Sequence, residues 1–291
     1  MNPRCVLVQR PTEYEELLAR HGTREQLRFF LSERGRTLEE LAERHERMAA
    51  ALRGVLGAIP HDWRRATVER AELDRFLFAD DDVIVALGQD GLVANVAKYL
   101  NGQPVIGLNL EPGPLVPHPP AAAPDLLRDV AAGRATLGER TMVEARLDDG
   151  QRLLALNEVF LGHVSHQSAR YALEIAGERE RQSSSGVIVT TGTGATGWAA
   201  SIARERHSPL ALPRPSDPAL AFYVREAWPS TATGTALTEG LLRDGAVLRL
   251  QSEMGEGGVV FGDGIEGDRL PLDWGRRVHV AVARERLRLV A

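Results

Sequence analysis

Lysine is almost missing from this sequence: Lys98 is the one lysine among 35 basic residues, and all the others are arginine. A phosphate-binding lysine is therefore hardly available. Any phosphate would be held by arginine, by backbone N–H groups or through a metal. Cysteine is equally scarce. Cys5 has no partner within the chain, which excludes an internal disulfide and points to a reducing, cytoplasmic setting. An excess of basic charge is absent too, with a net charge of −5, so nucleic acid is not the expected partner. No stretch approaches the roughly 18 apolar residues of a membrane span, and no membrane partner is expected. The opening MNPRCVLVQRP has too short an apolar run for a secretory signal and lacks the length of a mitochondrial presequence. Internal repeats and low-complexity tracts are also lacking.

What is present suits two domains. The 291 residues are 43% hydrophobic and 26% charged, a globular balance, and glycine and proline are dispersed rather than clustered into long disordered tracts. After a short strand at 5–10, helical periodicity with i,i+4 charge pairs predicts helices over 13–21, 24–33 and 37–56, with a capping box at Thr37 and Glu40. Residues 65–68, 83–87 and 104–108 read as strands, with a helix over about 92–100. The continuously apolar 83–87 fits a buried parallel strand in a βαβ unit. The proline-rich 111–123 (EPGPLVPHPPAAA) forbids helix or central strand, and a short helix over 124–132 follows. Beyond it come strands at 141–147, 151–154, 156–161, 170–176, 186–190, 219–226, 246–251 and 258–262, with two pieces over 277–289. A hairpin turn is expected at Asp148-Asp149-Gly150 and a helix near 196–204. The expected fold is an α/β, Rossmann-like domain with a parallel sheet over 1–122, then a β-rich, sandwich-like domain over 123–291 whose end returns to the first.

Three segments carry chemistry. In Val83–Gly91 (VIVALGQDG) a buried strand runs into a glycine-bracketed turn bearing Asp90, and a helix starts at once. Ligands of open α/β sheets bind at the carboxyl ends of strands, and helix N-termini suit phosphate oxygens. Asp90 there could take a proton from a hydroxyl or position a metal; the local pattern equally fits an ordinary helix N-cap. The second segment is Asn157-Glu158 on a strand, where adjacent side chains point to opposite faces unless a bulge or strand end turns both to a ligand. Asn157 could pair with a base edge or ribose, and Glu158 could accept from a hydroxyl or amide, or both could belong to a half-exposed strand. The third, SSGVIVTTGTGATGW (184–198), is strand, loop and helix. Four hydroxyls and three glycines between Thr190 and Gly197 offer more donors than a plain connector requires. Elsewhere, Asp80–Asp82 reads as a solvated turn and His163 and His166 as surface residues. Asp263-Gly264 reads first as a hairpin turn and second as a substrate contact, and Trp228 and Trp274 read as packing residues.

In order and spacing these segments resemble the NAD kinase family, and in particular its mitochondrial-type branch. The acidic turn (88–91), the Asn-Glu pair (157–158) and the threonine-rich glycine loop (191–198) match the family's motifs. LNEVFLG (156–162), the SSG at 184–186, TGTG (191–194), PVIGLN (104–109) and the helical N-terminal part are like that branch, so the likeness covers nearly the whole chain. The resemblance implies transfer of a phosphoryl group from ATP with Mg²⁺, or from polyphosphate, to the 2′-hydroxyl of the adenosine ribose of NAD, giving NADP. It also implies a homodimer or higher homo-oligomer, with substrate between the domains. It makes Asp90 the general base. Gly88, Gly91, Asn109, Asn157, Glu158, Thr191, Thr193, Gly194, Thr196, Gly197, Trp198 and Ser201 become the residues around the dinucleotide, and none is a metal ligand. Several positions depart from the pattern. Gln89 stands for a glycine, Leu92 for a threonine, Gly192 for a proline, Gly197 for an alanine and Trp198 for a tyrosine. A left-handed backbone at Gln89 would cost on the order of 1–2 kcal/mol. Two rival readings remain: a sensor that binds NAD or NADP without transfer, and a kinase of the same scaffold acting on a lipid or other hydroxyl.

Overall fold

A computed structural model describes residues 2–243 and 245–291. By contacts the chain forms two compact units: residues 1–96, 103–138 and 289–291, and residues 97–102 with 139–288.

The first unit opens with β1 (Arg4–Gln9), followed by helices α1 (Glu13–His21), α2 (Arg24–Ser32) and α3 (Leu38–Ala58). Threonines start all three helices. Thr12, Thr23 and Thr37 each accept from the backbone N–H three residues on, worth about 1 kcal/mol apiece. At Thr37 this is the half of the expected box that forms, while the full reciprocal box lies at Thr12 and Glu15. Next come β2 (Arg64–Glu69), β3 (Asp82–Leu87), α4 (Asp90–Ala97), β4 (Pro104–Leu108) and α5 (Ala123–Ala131). The strands pair in parallel in the order β2-β1-β3-β4. Every residue of β3 is buried, as its unbroken apolar run requires. Leu7, Val85 and Ile106 on the sheet pack with Val55 of α3, with Ile59 just past its end, and with Leu127 of α5. This packing takes the helix after the proline-rich stretch into the first unit. Asp82 is no solvated turn residue. Its carboxylate is fully buried and doubly bonded to Arg4, with Nε–Oδ1 2.8 Å and Nη2–Oδ2 2.6 Å, and it accepts from the Ala79 N–H.

The second unit is antiparallel. It contains β5 (Leu137–Leu147), whose first two residues belong to the first unit, β6 (Arg152–Ala155), β7 (Glu158–His163), β8 (Ala169–Ile175), β9 (Glu178–Ser184) and β10 (Val187–Thr190). Helix α6 (Trp198–Glu205) follows, then β11 (Leu220–Val224), β12 (Glu239–Leu242), β13 (Leu248–Ser252), β14 (Gly258–Gly262), β15 (Arg269–Pro271) and β16 (Arg277–Val290). One sheet runs β12-β11-β10-β7-β14-β15, and the other contains β16-β13-β8-β9 with β5 and β6. Alternate residues such as Val159, Leu161, Val187 and Val189 face Tyr171, Leu173, Leu250 and Val280 in one core, as in a sandwich. The opposite face of β7 and β10 carries Phe160 and Ile188, covered by Ala199 and Ile202 of α6. The turn at 148–150 is as expected. A second hairpin turns through Ala176 and Gly177, both at positive φ, into β9. β16 is one continuous strand rather than two pieces. Trp228 and Trp274 are 69% and 68% exposed and do not serve the packing expected of them. Among the described residues no helix is long and apolar enough to cross a membrane.

Candidate active site

The acidic turn sits where β3 ends. The Gly88 N–H donates to the Leu108 carbonyl on β4, at 2.9 Å, and the chain then enters α4 at Asp90. Gln89 is exposed and does not take positive φ, so the departure from glycine there brings no left-handed strain. Leu92, where a threonine was expected by resemblance, is buried. Asp90 is the first residue inside the helix rather than its cap. It is half-buried, and its Oδ1 accepts from the Leu115 N–H at 2.8 Å. Oδ2 has no hydrogen bond among the described residues.

The donor to Asp90 comes from the proline-rich segment, which is tightly built. Asn109 Nδ2 donates to the Glu111 carbonyl, the Asn109 N–H donates to the His118 carbonyl, and Gly113 and Val116 exchange backbone hydrogen bonds. Leu115 and Val116 are buried. Two glycines allow this packing. A Cβ on Gly107 would lie 2.1 Å from the Leu115 carbonyl oxygen, and one on Gly113 would lie 2.8 and 2.9 Å from the two oxygens of Asp90. Gly113 and Leu115 went unnoticed in the sequence; the only hint was a glycine placed within a proline-rich run.

In the second unit, residues 156–158 lead into β7. The threonine-rich loop lies directly against them. Thr191 is fully buried; its hydroxyl donates to the Leu156 carbonyl at 2.6 Å and accepts from the N–H groups of Thr193 and Gly194. Thr191 thus shapes the loop and has no capacity left for a ligand. Thr190 Oγ1 donates to the Asn157 carbonyl. Gly194 is required by contact, since a Cβ there would lie 2.3 Å from the Asn157 carbonyl oxygen. Gly192 is similar: a Cβ would lie 2.0 Å from the Arg214 backbone, which accounts for glycine at a position where the commoner loop has proline. Thr193 keeps a buried hydroxyl without a partner among the described residues. Thr196, Gly197, Trp198 and Ser201 are exposed and free to meet a ligand, and Gly197 meets no steric demand for glycine.

Glu158 and Asn157 are half-buried. Burial first, and the Asp263 carboxylate second, push the Glu158 carboxyl up to about 7. Asp263 follows β14 at a φ of 53° and is no simple hairpin residue. Its carboxylate accepts from the N–H groups of Leu156, Asn157 and Glu158 at 2.8, 2.7 and 3.3 Å. Burial pushes it up to about 6, against the pull of those donors and of Lys98.

Along β7 from Glu158, Phe160 stacks on Trp198 at 6.0 Å between centroids, with Phe261 at 5.0 Å on another side. Cβ atoms on Gly162 or Gly186 would come within 2.5 Å of the Phe160 ring. Gly186 is also at positive φ, with its N–H held by Ser184 Oγ, so both features of the SSG phrase have a physical cause. The Arg225 guanidinium covers the Trp198 ring at 5.0 Å. These residues, with His163, Glu266 and Arg269, line a cavity of about 190 Å³. Its aromatic walls suit a planar ring, and its rim carries both signs, Arg225 and Arg269 with Glu266. Among the described residues no group of three or more His, Cys, Asp or Glu side chains could hold a metal ion.

An α/β unit with a carboxylate at a strand end is joined in one chain to an antiparallel sandwich bearing a threonine-rich loop. The particular fold is that of yeast NADH kinase, solved in complex with NADH. The alignment gives a TM-score of 0.60 at 19% identity and covers all of this chain and 84% of that one. No known family model matches the chain. Among characterised proteins it is similar to the NAD kinase of Methylococcus capsulatus, 34% identical over 158 residues. That match covers 51% of this chain and 52% of the relative. The NAD kinases of Chlorobaculum tepidum, 29% identical over 137 residues, and Halorubrum lacusprofundi, 34% identical over 134 residues, match 46% and 41% of this chain and 47% of each relative. The chain thus spans about half the length of the curated relatives it matches.

Proposed function

We propose that this chain is an NAD kinase of the mitochondrial-type branch, transferring a phosphoryl group to the 2′-hydroxyl of the adenosine ribose of NAD to give NADP. The observation that carries the reading is the state of Asp90: one carboxylate oxygen is held by the Leu115 N–H and the other is left to accept a proton. On this reading Oδ2 takes the proton of the ribose hydroxyl as the hydroxyl oxygen attacks the terminal phosphorus of the donor, whose bond to the bridging oxygen breaks and releases ADP, or polyphosphate shortened by one unit. Asn157 and Glu158 recognise the dinucleotide through their side chains, Thr196 and Ser201 supply hydroxyls, and the aromatic cavity beside Trp198 receives a planar ring. The donor is ATP, with polyphosphate as the alternative. A Mg²⁺ ion in the reaction would be held by the donor's phosphates, where it offsets charge. The unstrained Gln89 supports a working turn over a sensor that has lost transfer. The buried, single Cys5 suits a cytoplasmic protein, and the reading carries a homodimer or higher homo-oligomer.

The test is NADP formation with ATP and polyphosphate offered separately, together with Asp90→Asn. General-base assistance is worth about 10²–10⁴ in rate. The variant is expected to fold, to bind NAD in calorimetry as the wild type does, and to lose turnover by that factor. Near-normal turnover would remove Asp90 from the chemistry.

A further inference from the structure

We propose that Asp263 is a positioning residue for dinucleotide recognition, fixing the backbone of Leu156–Glu158 so that Asn157 and Glu158 present their side chains in one orientation. The inference rests on the reading of those two residues as the dinucleotide-binding pair.

The case is a full account of six backbone groups. The N–H of Leu156 donates to Asp263 Oδ2, and those of Asn157 and Glu158 donate to Oδ1. The carbonyl of Leu156 accepts from the Thr191 hydroxyl. The carbonyl of Asn157 accepts from the Thr191 N–H at 2.8 Å and from the Thr190 hydroxyl at 3.1 Å. The carbonyl of Glu158 accepts from the Asp263 N–H at 3.1 Å. Each of the six groups therefore has a partner inside the protein, and half of the six depend on one carboxylate. Among the described residues no other side chain supplies an acceptor to these three N–H groups.

Two further features single out this carboxylate. Asp263 is half-buried with its carboxylate turned onto the strand entrance, where leaving three N–H groups without an acceptor is costly. Residue 263 also takes a left-handed backbone conformation that few non-glycine residues adopt, and such conformations persist where the surroundings over-determine them. An ordinary hairpin would place glycine or asparagine there. An aspartate aimed inward at the entrance of β7 goes further, because it rigidifies the strand end whose side chains are the candidate ligand contacts. With all three N–H groups of 156–158 engaged, the hydrogen-bond donors a ligand meets here are those of the side chains, and their aim depends on the clamp.

The test compares the wild type with Asp263→Gly, which keeps the left-handed backbone and removes the carboxylate. Asp263→Asn, which keeps one oxygen acceptor, serves as a second variant should the first not fold. Amide hydrogen exchange over 156–158 and calorimetry with NAD are measured on each, with KM for NAD and for ATP. The expected result is faster exchange confined to this segment, NAD affinity lower by about ten- to hundredfold, and KM for ATP unchanged. A loss of general stability would instead lower the active fraction and leave KM for NAD where it was. Unchanged exchange at 156–158 overturns the clamp. Faster exchange with wild-type NAD affinity overturns its role in recognition. A wild type that binds no NAD sinks the functional reading and the recognition role with it, while the exchange comparison still decides the clamp.

Discussion

The two oxygens of Asp90 stand in different circumstances, and a neighbouring glycine sets them. Leu115 holds Oδ1, and Gly113 lies so close that a methyl group there would overlap both oxygens. Gly113→Ala therefore turns the carboxylate out of its rotamer or pushes the loop away. Misplacement of about 1 Å can cost on the order of 10²-fold in rate, so turnover should fall by about ten- to hundredfold while circular dichroism stays native. A variant with unchanged kcat would show that this contact does not aim the carboxylate. Glu158 gives a prediction of another kind. Its carboxyl is held near 7, above the roughly 4.3 of an unfolded chain. Between those values the folded protein keeps a proton that the unfolded chain has released, so stability falls as pH rises through this window and stays lower above it. Asp263, near 6, acts in the same sense at lower pH. Glu158→Gln cannot ionise. The Tm of the wild type should drop more between pH 6 and 8 than that of the variant, and parallel curves would contradict the assignment.

At the scale of elements, those with strong local signals were legible and those without were not. Helices 13–21 and 24–32 follow the charge and apolar periodicity almost to the residue, because threonine caps mark where each begins. β3 and β4 were legible because a short, unbroken apolar run between turn residues fits a buried parallel strand. β9 was missed. Its sequence, ERERQSS, offers no apolar alternation; it is the last strand of its sheet, and its charges face outward, Arg181 pairing with Glu253. The short β12 and β15 were missed for the same want of pattern. The threonine-rich loop was recognised as chemistry-bearing, yet which hydroxyls face inward is a tertiary fact. Thr191 spends its bonds on the neighbouring strand entrance, whereas Thr196 and Ser201 remain outside. Gly194→Ala tests how tightly loop and strand entrance fit. The new methyl would collide with the Asn157 carbonyl, and overpacking of this kind costs about 1–3 kcal/mol. Denaturant unfolding should show a loss in that range, and a stability equal to wild type would mean that the loop has room to yield.

Over the whole molecule, sequence alone placed an α/β unit before a β-rich one and named the acidic turn, the Asn-Glu pair and the glycine loop. It could not place Asp263, Gly113 or Leu115, because their partners lie 105–107, 23 and 25 residues away in the chain. Each unit has its own core, one between sheet and helices and one between two sheets. The scarcity of lysine has a practical consequence at this scale. The Lys98 ammonium is 2% exposed and bonded to Asp268 at 2.8 Å, with the Tyr99 hydroxyl on the same carboxylate. An endoprotease that cuts only after lysine has a single bond to attack in the entire chain, and the folded protein hides it. Digestion should be all or nothing, yielding residues 1–98 and 99–291 at the rate at which that region opens. Loss of the intact band on a gel would then serve as a clock for opening, slowed by any ligand that binds the closed form, and rapid cutting under native conditions would show that the Lys98–Asp268 pair does not hold.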